Sequence, residues 1–227
     1  MRAMILAAGR GVRMRPLTDR LPKPMLAVAG RPLIDYQLTA LARAGVDTVV
    51  VNVAWLSTKL VHYLGDGARW GIEIRISDEG ESALETGGGI QRALPLLGAD
   101  SFWVVNGDIW SDFPLQDLPT EPTALAHLIL VDNPPHHPHG DFALLGDRVV
   151  EPPCTRRLTF AGIGCYRREL FDRACAGAFR LAPLLRQAAA RGQVSAAHYR
   201  GRWRDAGTPE RLASLDAELR ASRPGRR

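Results

Sequence analysis

The stretch Ala3-Met4-Ile5-Leu6-Ala7-Ala8-Gly9-Arg10-Gly11-Val12-Arg13-Met14-Arg15-Pro16-Leu17-Thr18 decides the fold. Its apolar run, Ala3 to Ala8, reads as a buried strand that breaks into a Gly-, Arg- and Pro-rich loop lasting to Pro24. Glycines directly after a strand let backbone amides approach a polyphosphate, because no side chain stands in the way. A dinucleotide fingerprint would need a third glycine where Met14 stands, and a P-loop would need GxxxxGK[ST]; the loop meets neither pattern. It offers Arg13 instead, followed by Lys23 between Pro22 and Pro24, whose fixed backbone angles limit where the lysine reaches. A compact ammonium beside a bidentate guanidinium suits a triphosphate. For the glycines alone, a turn with solvated arginines explains the sequence equally well. The loop around Lys23 is expected to be exposed.

Working outward, strand and helix signals alternate. Leu33, Ile34, Leu38, Leu41 and Ala42 recur at helical spacing, with Pro32 before them and Gly45 beyond. Thr48 to Val53 is a strand, Leu56 to Leu64 a helix, and Ile72 to Ile76 a strand ending in a polar loop, Ser77 to Thr86. A helix over Ile90 to Leu97 and a strand over Phe102 to Val105 follow, the latter running into Asn106-Gly107-Asp108. Such alternation predicts an α/β fold, with a mixed but mostly parallel sheet and helices on both faces. Ligands in such sheets bind outside the carboxyl ends of the strands, so the loops after Ala8 and Val105 should share one rim.

The second half is less regular. Strands are expected at Leu125 to Val131 and Leu158 to Tyr166, a hairpin about Gly146-Asp147, and helices at Arg168 to Ala174 and Leu181 to Ala190. A last strand precedes Trp203-Arg204-Asp205-Ala206-Gly207-Thr208, and Thr208 caps a closing helix from Pro209 to Leu219.

With 227 residues the chain is long enough for a real core without disulfides. Cys154, Cys165 and Cys175 form no CxxC and read as reduced thiols, with neither a zinc site nor a disulfide framework. No N-terminal run is long enough for a signal segment or a membrane span, so a cytoplasmic protein without a membrane partner is expected. The formal net charge of +5 invites a nucleic-acid partner, but the excess is scattered and no aromatic residues interleave with it, so none is expected. Only two of the 29 basic residues are lysines, Lys23 and Lys59, which singles out Lys23.

Leu6 to Thr18, Pro22-Lys23-Pro24, Gly30-Arg31-Pro32-Leu33-Ile34, Asn106-Gly107-Asp108 and Trp203 to Thr208 occur in the order that marks the sugar-1-phosphate nucleotidylyltransferases. The chain resembles that family over about residues 1 to 212. The resemblance implies a Rossmann-like nucleotidyltransferase fold forming a single domain over 1–227, with a nucleotide-binding half (1–110) and a sugar-binding half (111–227). It implies the reaction of a nucleoside triphosphate with a sugar 1-phosphate to give a nucleoside diphosphate sugar and pyrophosphate. Arg13 and Lys23 are then the catalytic cations, and Ala8, Gly9, Gly11, Val12 and Gly87 contact the nucleotide beside them. Gly88, Asn106, Asp141 and Gly162 face the sugar, and Asp108 and Asp205 hold Mg2+. For Asp141 the plainer reading is a cap on the hairpin, and for each aspartate alone a turn residue. His136, His137 and His139, in a Pro-rich loop lacking evident carboxylate partners, are expected to be solvated rather than zinc-bound.

Two departures from longer relatives narrow the expectation. The Glu-Lys-Pro element is reduced to Glu151-Pro152-Pro153, with Arg156 or Arg157 as substitutes for its lysine, and the chain stops soon after the last motif. A short chain carrying Val131-Asp132-Asn133-Pro134 and His198-Tyr199-Arg200-Gly201 is most similar to members using UTP and N-acetylmuramate 1-phosphate in cell-wall recycling. Mannose-1-phosphate guanylyl transfer is the alternative, and a non-catalytic nucleotide-sensing paralogue the alternative of another class. A monomer is expected.

Overall fold

The computed structural model describes residues 1–98, 100–150 and 156–222. In chain order its strands and helices are β1 (Arg2–Leu6), β2 (Ala27–Val28), β3 (Arg31–Pro32), α1 (Leu33–Arg43), β4 (Thr48–Val53), α2 (Ser57–Leu64), β5 (Glu73–Asp78), α3 (Glu85–Leu97) and β6 (Ser101–Asn106). Then come β7 (Ile109–Ser111), β8 (Ala126–Val131), β9 (Phe142–Leu145), β10 (Arg148–Val150), β11 (Arg157–Arg167), α4 (Leu181–Ala189), β12 (Val194–Tyr199), β13 (Trp203–Asp205) and α5 (Pro209–Ala221).

One nine-stranded sheet, ordered β5-β4-β1-β6-β11-β8-β12-β10-β9, runs through both halves of the chain. β5, β4, β1 and β6 are parallel, as the strand–helix alternation predicts. Beyond β6 the sheet is mixed: β11 is antiparallel to β6 and β8, while β12 is parallel to β8. The expected mixed sheet is thus present, with parallel pairing among β5, β4, β1 and β6 and again between β8 and β12. β11 reaches past a bulge between Phe160 and Gly164 to pair with β9 as well, which curls this end of the sheet.

Period-two alternation divides the sheet into two faces. Ile5, Val51, Val105 and Ile129 pack with Leu38 and Leu41 of α1 and Leu60 of α2. Met4, Val50, Val104 and Leu128 pack with Ile90 and Leu97 of α3 and Leu185 of α4. A third cluster joins α5, through Leu212 and Leu215, to Met14, Val28, Leu33 and Trp110. Thr208 caps α5 through its side-chain oxygen, as expected.

Some boundaries move. The segment after Arg167 makes only a short 3-10 turn, Arg168–Phe171, where a helix to Ala174 was expected. α3 starts at Glu85, so the run Glu85-Thr86-Gly87-Gly88-Gly89 begins the helix, as its reading as a helix entry expects, and its three glycines are buried. The β7–β13 ribbon, with Asp205 opposite Ile109, has no counterpart in the sequence reading beyond the expected late strand.

Candidate active site

A cleft of about 480 Å3 opens at the carboxyl ends of β1 and β6. These strands are neighbours, with Leu6 beside Asn106, and the Gly107 amide donates to the Leu6 carbonyl at 2.9 Å. The two loops thus share one rim, and Ala8, Gly9, Gly11, Val12, Arg13, Lys23, Asn106 and Asp108 all line the cleft.

The Gly-rich loop is held in place from within. Gly11 lies at φ +63°, and a Cβ there would press on Thr18, whose hydroxyl donates to the Gly11 carbonyl at 2.8 Å. Gly9 has open space on its Cβ side. Val12 and Arg13 are exposed, with Arg13 in a short 3-10 turn.

Lys23 corrects an expectation: it is not exposed. Only 9% of it is accessible, between buried Pro22 and Pro24, and its Nζ lies 2.5 Å from Asp108 Oδ2. Asp108 lies in the turn just after β6, so one ion pair ties the proline-flanked turn to the loop at the strand end.

Asp205 approaches Asp108 through the β7–β13 ribbon, where the Ala206 amide donates to the Asp108 carbonyl at 2.8 Å. Its Oδ1 accepts from the Gly207 amide at 3.0 Å and pairs with Arg211 at 2.9 Å. A side chain at Gly207 would collide with that guanidinium, which accounts for the glycine. Asp205 Oδ2 is buried with no aligned donor, although His136 Nε2 stands 2.7 Å away. Two carboxylates at adjoining ribbon positions, one with an unused buried lone pair, are hard oxygen donors that fit Mg2+. Among the described residues no three His, Cys, Asp or Glu form a closed cage.

Other expected positions fare differently. Gly162, at φ +74°, lies against Asn106, and a Cβ there would overlap the amide. The amides of Gly87 and Gly88 do not face the cleft: both donate to the Phe179 carbonyl, at 2.9 and 3.1 Å. A Cβ on Gly87 would enter the Phe179 ring, and one on Gly88 the Gly177 carbonyl, so this glycine run serves close packing. Asp141 is anchored internally, with Oδ2 accepting from the Phe160 amide at 2.8 Å and Oδ1 lying 3.1 Å from His137 Nε2. The histidine loop does have carboxylate partners, contrary to expectation, because the fold carries Asp205 to His136 and Asp141 to His137. Glu151-Pro152-Pro153 and Cys154 lie outside the described residues. Cys165 is buried, which pushes its thiol up to about 12.

Sequence reading missed Asn52 and Glu79, both buried and both lining the cleft. Asn52 accepts from the Ala7 amide at 2.7 Å and donates to Glu79 Oε1 at 2.6 Å, and Glu79 Oε2 accepts from the Leu84 amide at 2.6 Å. This chain of bonds links the ends of β1, β4 and β5 to the entry of α3. The signal was a polar residue closing each strand.

The nucleotidyl transferase family pattern matches residues 2–222. The chain belongs to this family. Among curated relatives, the N-acetylmuramate alpha-1-phosphate uridylyltransferase of Neisseria meningitidis is 49% identical, covering 96% of this chain and 97% of its own. The enzyme of the same name from Caulobacter vibrioides is 36% identical, covering 96% of each chain. A Bacillus anthracis structure described as a glucose-1-phosphate thymidylyltransferase, in complex with sucrose, superposes with a TM-score of 0.87. It is 20% identical, covers 100% of this chain and 98% of its own, and so shows the fold of this nucleotidyl transferase.

Proposed function

We propose that this nucleotidyl transferase moves the uridylyl group of UTP onto N-acetylmuramate 1-phosphate, yielding UDP-N-acetylmuramate and pyrophosphate. The observation that carries the reading is the 49% identity, across nearly the whole of both chains, to an enzyme named for that reaction. The cleft supplies what the chemistry needs. An oxygen of the acceptor phosphate attacks the α-phosphorus of UTP, the bond to the β-phosphate oxygen breaks, and pyrophosphate leaves with the bonding pair. Catalysis of such a transfer is positioning plus electrostatic stabilisation.

The backbone of Ala8, Gly9, Gly11 and Val12 receives the nucleotide, with glycines where side chains would block it. Arg13 reaches the departing pyrophosphate, and Lys23, already beside Asp108, meets the α-phosphate. Asn106 and Gly162 border the acceptor. Asp108 and Asp205 would hold Mg2+, which when bound supplies charge for the phosphate oxygens. Gly87 and Gly88 carry no ligand role here, since their amides are already used, whereas Asp141 accepts one hydrogen bond on Oδ2 and keeps lone pairs for the acceptor sugar. The working unit is a monomer that stays in the cytoplasm and binds no nucleic acid.

Four nucleoside triphosphates are combined with N-acetylmuramate, N-acetylglucosamine, glucose and mannose 1-phosphates, and pyrophosphate release is followed. UTP with N-acetylmuramate 1-phosphate is the expected best pair. GTP with mannose 1-phosphate as the best pair would reassign the enzyme. No release from any pair would make the chain a nucleotide-binding paralogue.

A further inference from the structure

A second cavity, of about 680 Å3, adjoins the cleft; Asp205 stands in its wall, and Gly207, two residues on, in the wall of the cleft. It is enclosed by the loop after β8, the turn between β12 and β13, and the first turns of α5. Pro134, Tyr199 and Trp203 give it apolar surfaces, and Arg200, Arg204 and Arg211 give it charge. Most of that charge is committed: Arg204 pairs with Glu218 at 3.0 Å and Arg211 with Asp205. Its carboxylates lie beside basic groups too, Asp205 Oδ1 paired with Arg211, and Asp132 3.3 Å from His198 and 3.6 Å from Arg156. Among the described residues, Arg200 has neither a hydrogen bond nor an ion pair. The cavity therefore keeps one spare guanidinium beside apolar walls.

The turn that presents Arg200 is built with unusual care. Asp112 Oδ1 accepts from the Tyr199 hydroxyl at 2.6 Å and from the Arg202 amide at 2.8 Å, bracketing Arg200 on both sides. Burial, and then the neighbouring Asp112 carboxylate, push the Tyr199 hydroxyl up to about 12, so it remains a donor at neutral pH. Any side chain at Gly201 would strike the Tyr199 ring. Pre-organised turns lower the cost of binding.

We infer that this cavity receives the acidic ether arm of the acceptor sugar, with Arg200 as the receptor of its carboxylate. The inference rests on the proposed function, because N-acetylmuramate differs from N-acetylglucosamine by a lactyl ether on C3. That arm brings a methyl group suited to the Pro134 and Trp203 surfaces and a carboxylate suited to a guanidinium fork. Its place follows from the reaction: the phosphate on C1 must reach the cleft where Asp108 and Gly207 line it, and Asp205, two residues before Gly207, stands in the wall of the cavity.

The test uses the full chain, saturating UTP, and two acceptors, N-acetylmuramate 1-phosphate and N-acetylglucosamine 1-phosphate. Wild type should prefer the muramate acceptor. Arg200→Met should cut the ratio of kcat/KM values by about 10- to 100-fold, the scale of one lost charged hydrogen bond, chiefly through KM for the muramate acceptor. Arg200→Lys should recover part of it, and an unchanged KM for UTP would show that the cleft is intact. An unaltered ratio in Arg200→Met, with a wild type that prefers muramate, would overturn the receptor and leave the functional reading standing. A wild type without that preference would overturn both.

Discussion

Lys23 shows how much one residue's surroundings change its reading. Its ammonium is 9% accessible and paired at 2.5 Å with a carboxylate that is itself more than a third exposed. Removing it empties a buried position and strips Asp108 of its partner, although that carboxylate can take up water, so Lys23→Ala should cost stability by about 1–3 kcal/mol. Activity should suffer far more. A guanidinium is wider and planar, and the buried prolines on either side leave it no room to spread. Lys23→Arg should therefore fail to restore kcat, and its melting temperature should fall at least as far as that of Lys23→Ala. Steady-state kinetics and thermal unfolding of the two variants check this. An arginine variant near wild-type rate would reduce Lys23 to a generic counter-charge.

At the scale of elements, the glycines of the cleft divide into two kinds, and substitution separates them. Gly9→Ala meets nothing within 4 Å, so it should fold normally yet raise KM for UTP by obstructing the approach of the nucleotide. Gly88→Ala must displace the backbone at Gly177, so it should lose stability by about 1–3 kcal/mol, the usual cost of overpacking. Melting curves and UTP titrations of both variants should show opposite patterns. The reading from residues alone was sound for β1 with its loop, the helical period of α1 and the Thr208 cap, whereas the short turn at Arg168–Phe171 and the His137–Asp141 pair, both local, escaped it. It also failed where the partner is distant. The run from Gly87 to Gly89 has the composition of a ligand-facing helix entry, but its neighbours Gly177 and Phe179 lie some 90 positions away. The carboxylate that meets His136, Asp205, is also far along the chain. Asn52 and Glu79 escaped notice because each is an ordinary strand-end polar residue until the parallel order of β1, β4 and β5 brings them together.

The whole molecule joins two halves in one sheet, and the site depends on that continuity. β6 needs β11 as its neighbour, and the ribbon of β7 and β13 returns the end of the chain to the Asp108 loop. The ribbon thereby brings the Asp108 and Asp205 positions together, although nothing local in the sequence links them, and the proposed shared metal site makes them one unit. Each is held by a cation of the protein in this structure, Asp108 by Lys23 and Asp205 by Arg211. Asp→Asn keeps the size and most hydrogen bonds of either residue while removing the charge that would hold Mg2+. Each single variant should lose on the order of 10² in kcat/KM, the scale of one pre-organised electrostatic contact. Groups acting as a unit are not additive, so the double variant should lose little more than the worse single. Calorimetric titration with Mg2+ in the presence of UTP should show weakened binding in both singles, and excess Mg2+ should partly restore their rates. Melting curves distinguish this from a damaged ribbon, since loss of the Arg211 pair could loosen α5 in Asp205→Asn alone. Losses that multiply in the double variant, with no response to Mg2+ in either single, would mean that the two carboxylates perform separate tasks and that no shared metal site spans the two halves.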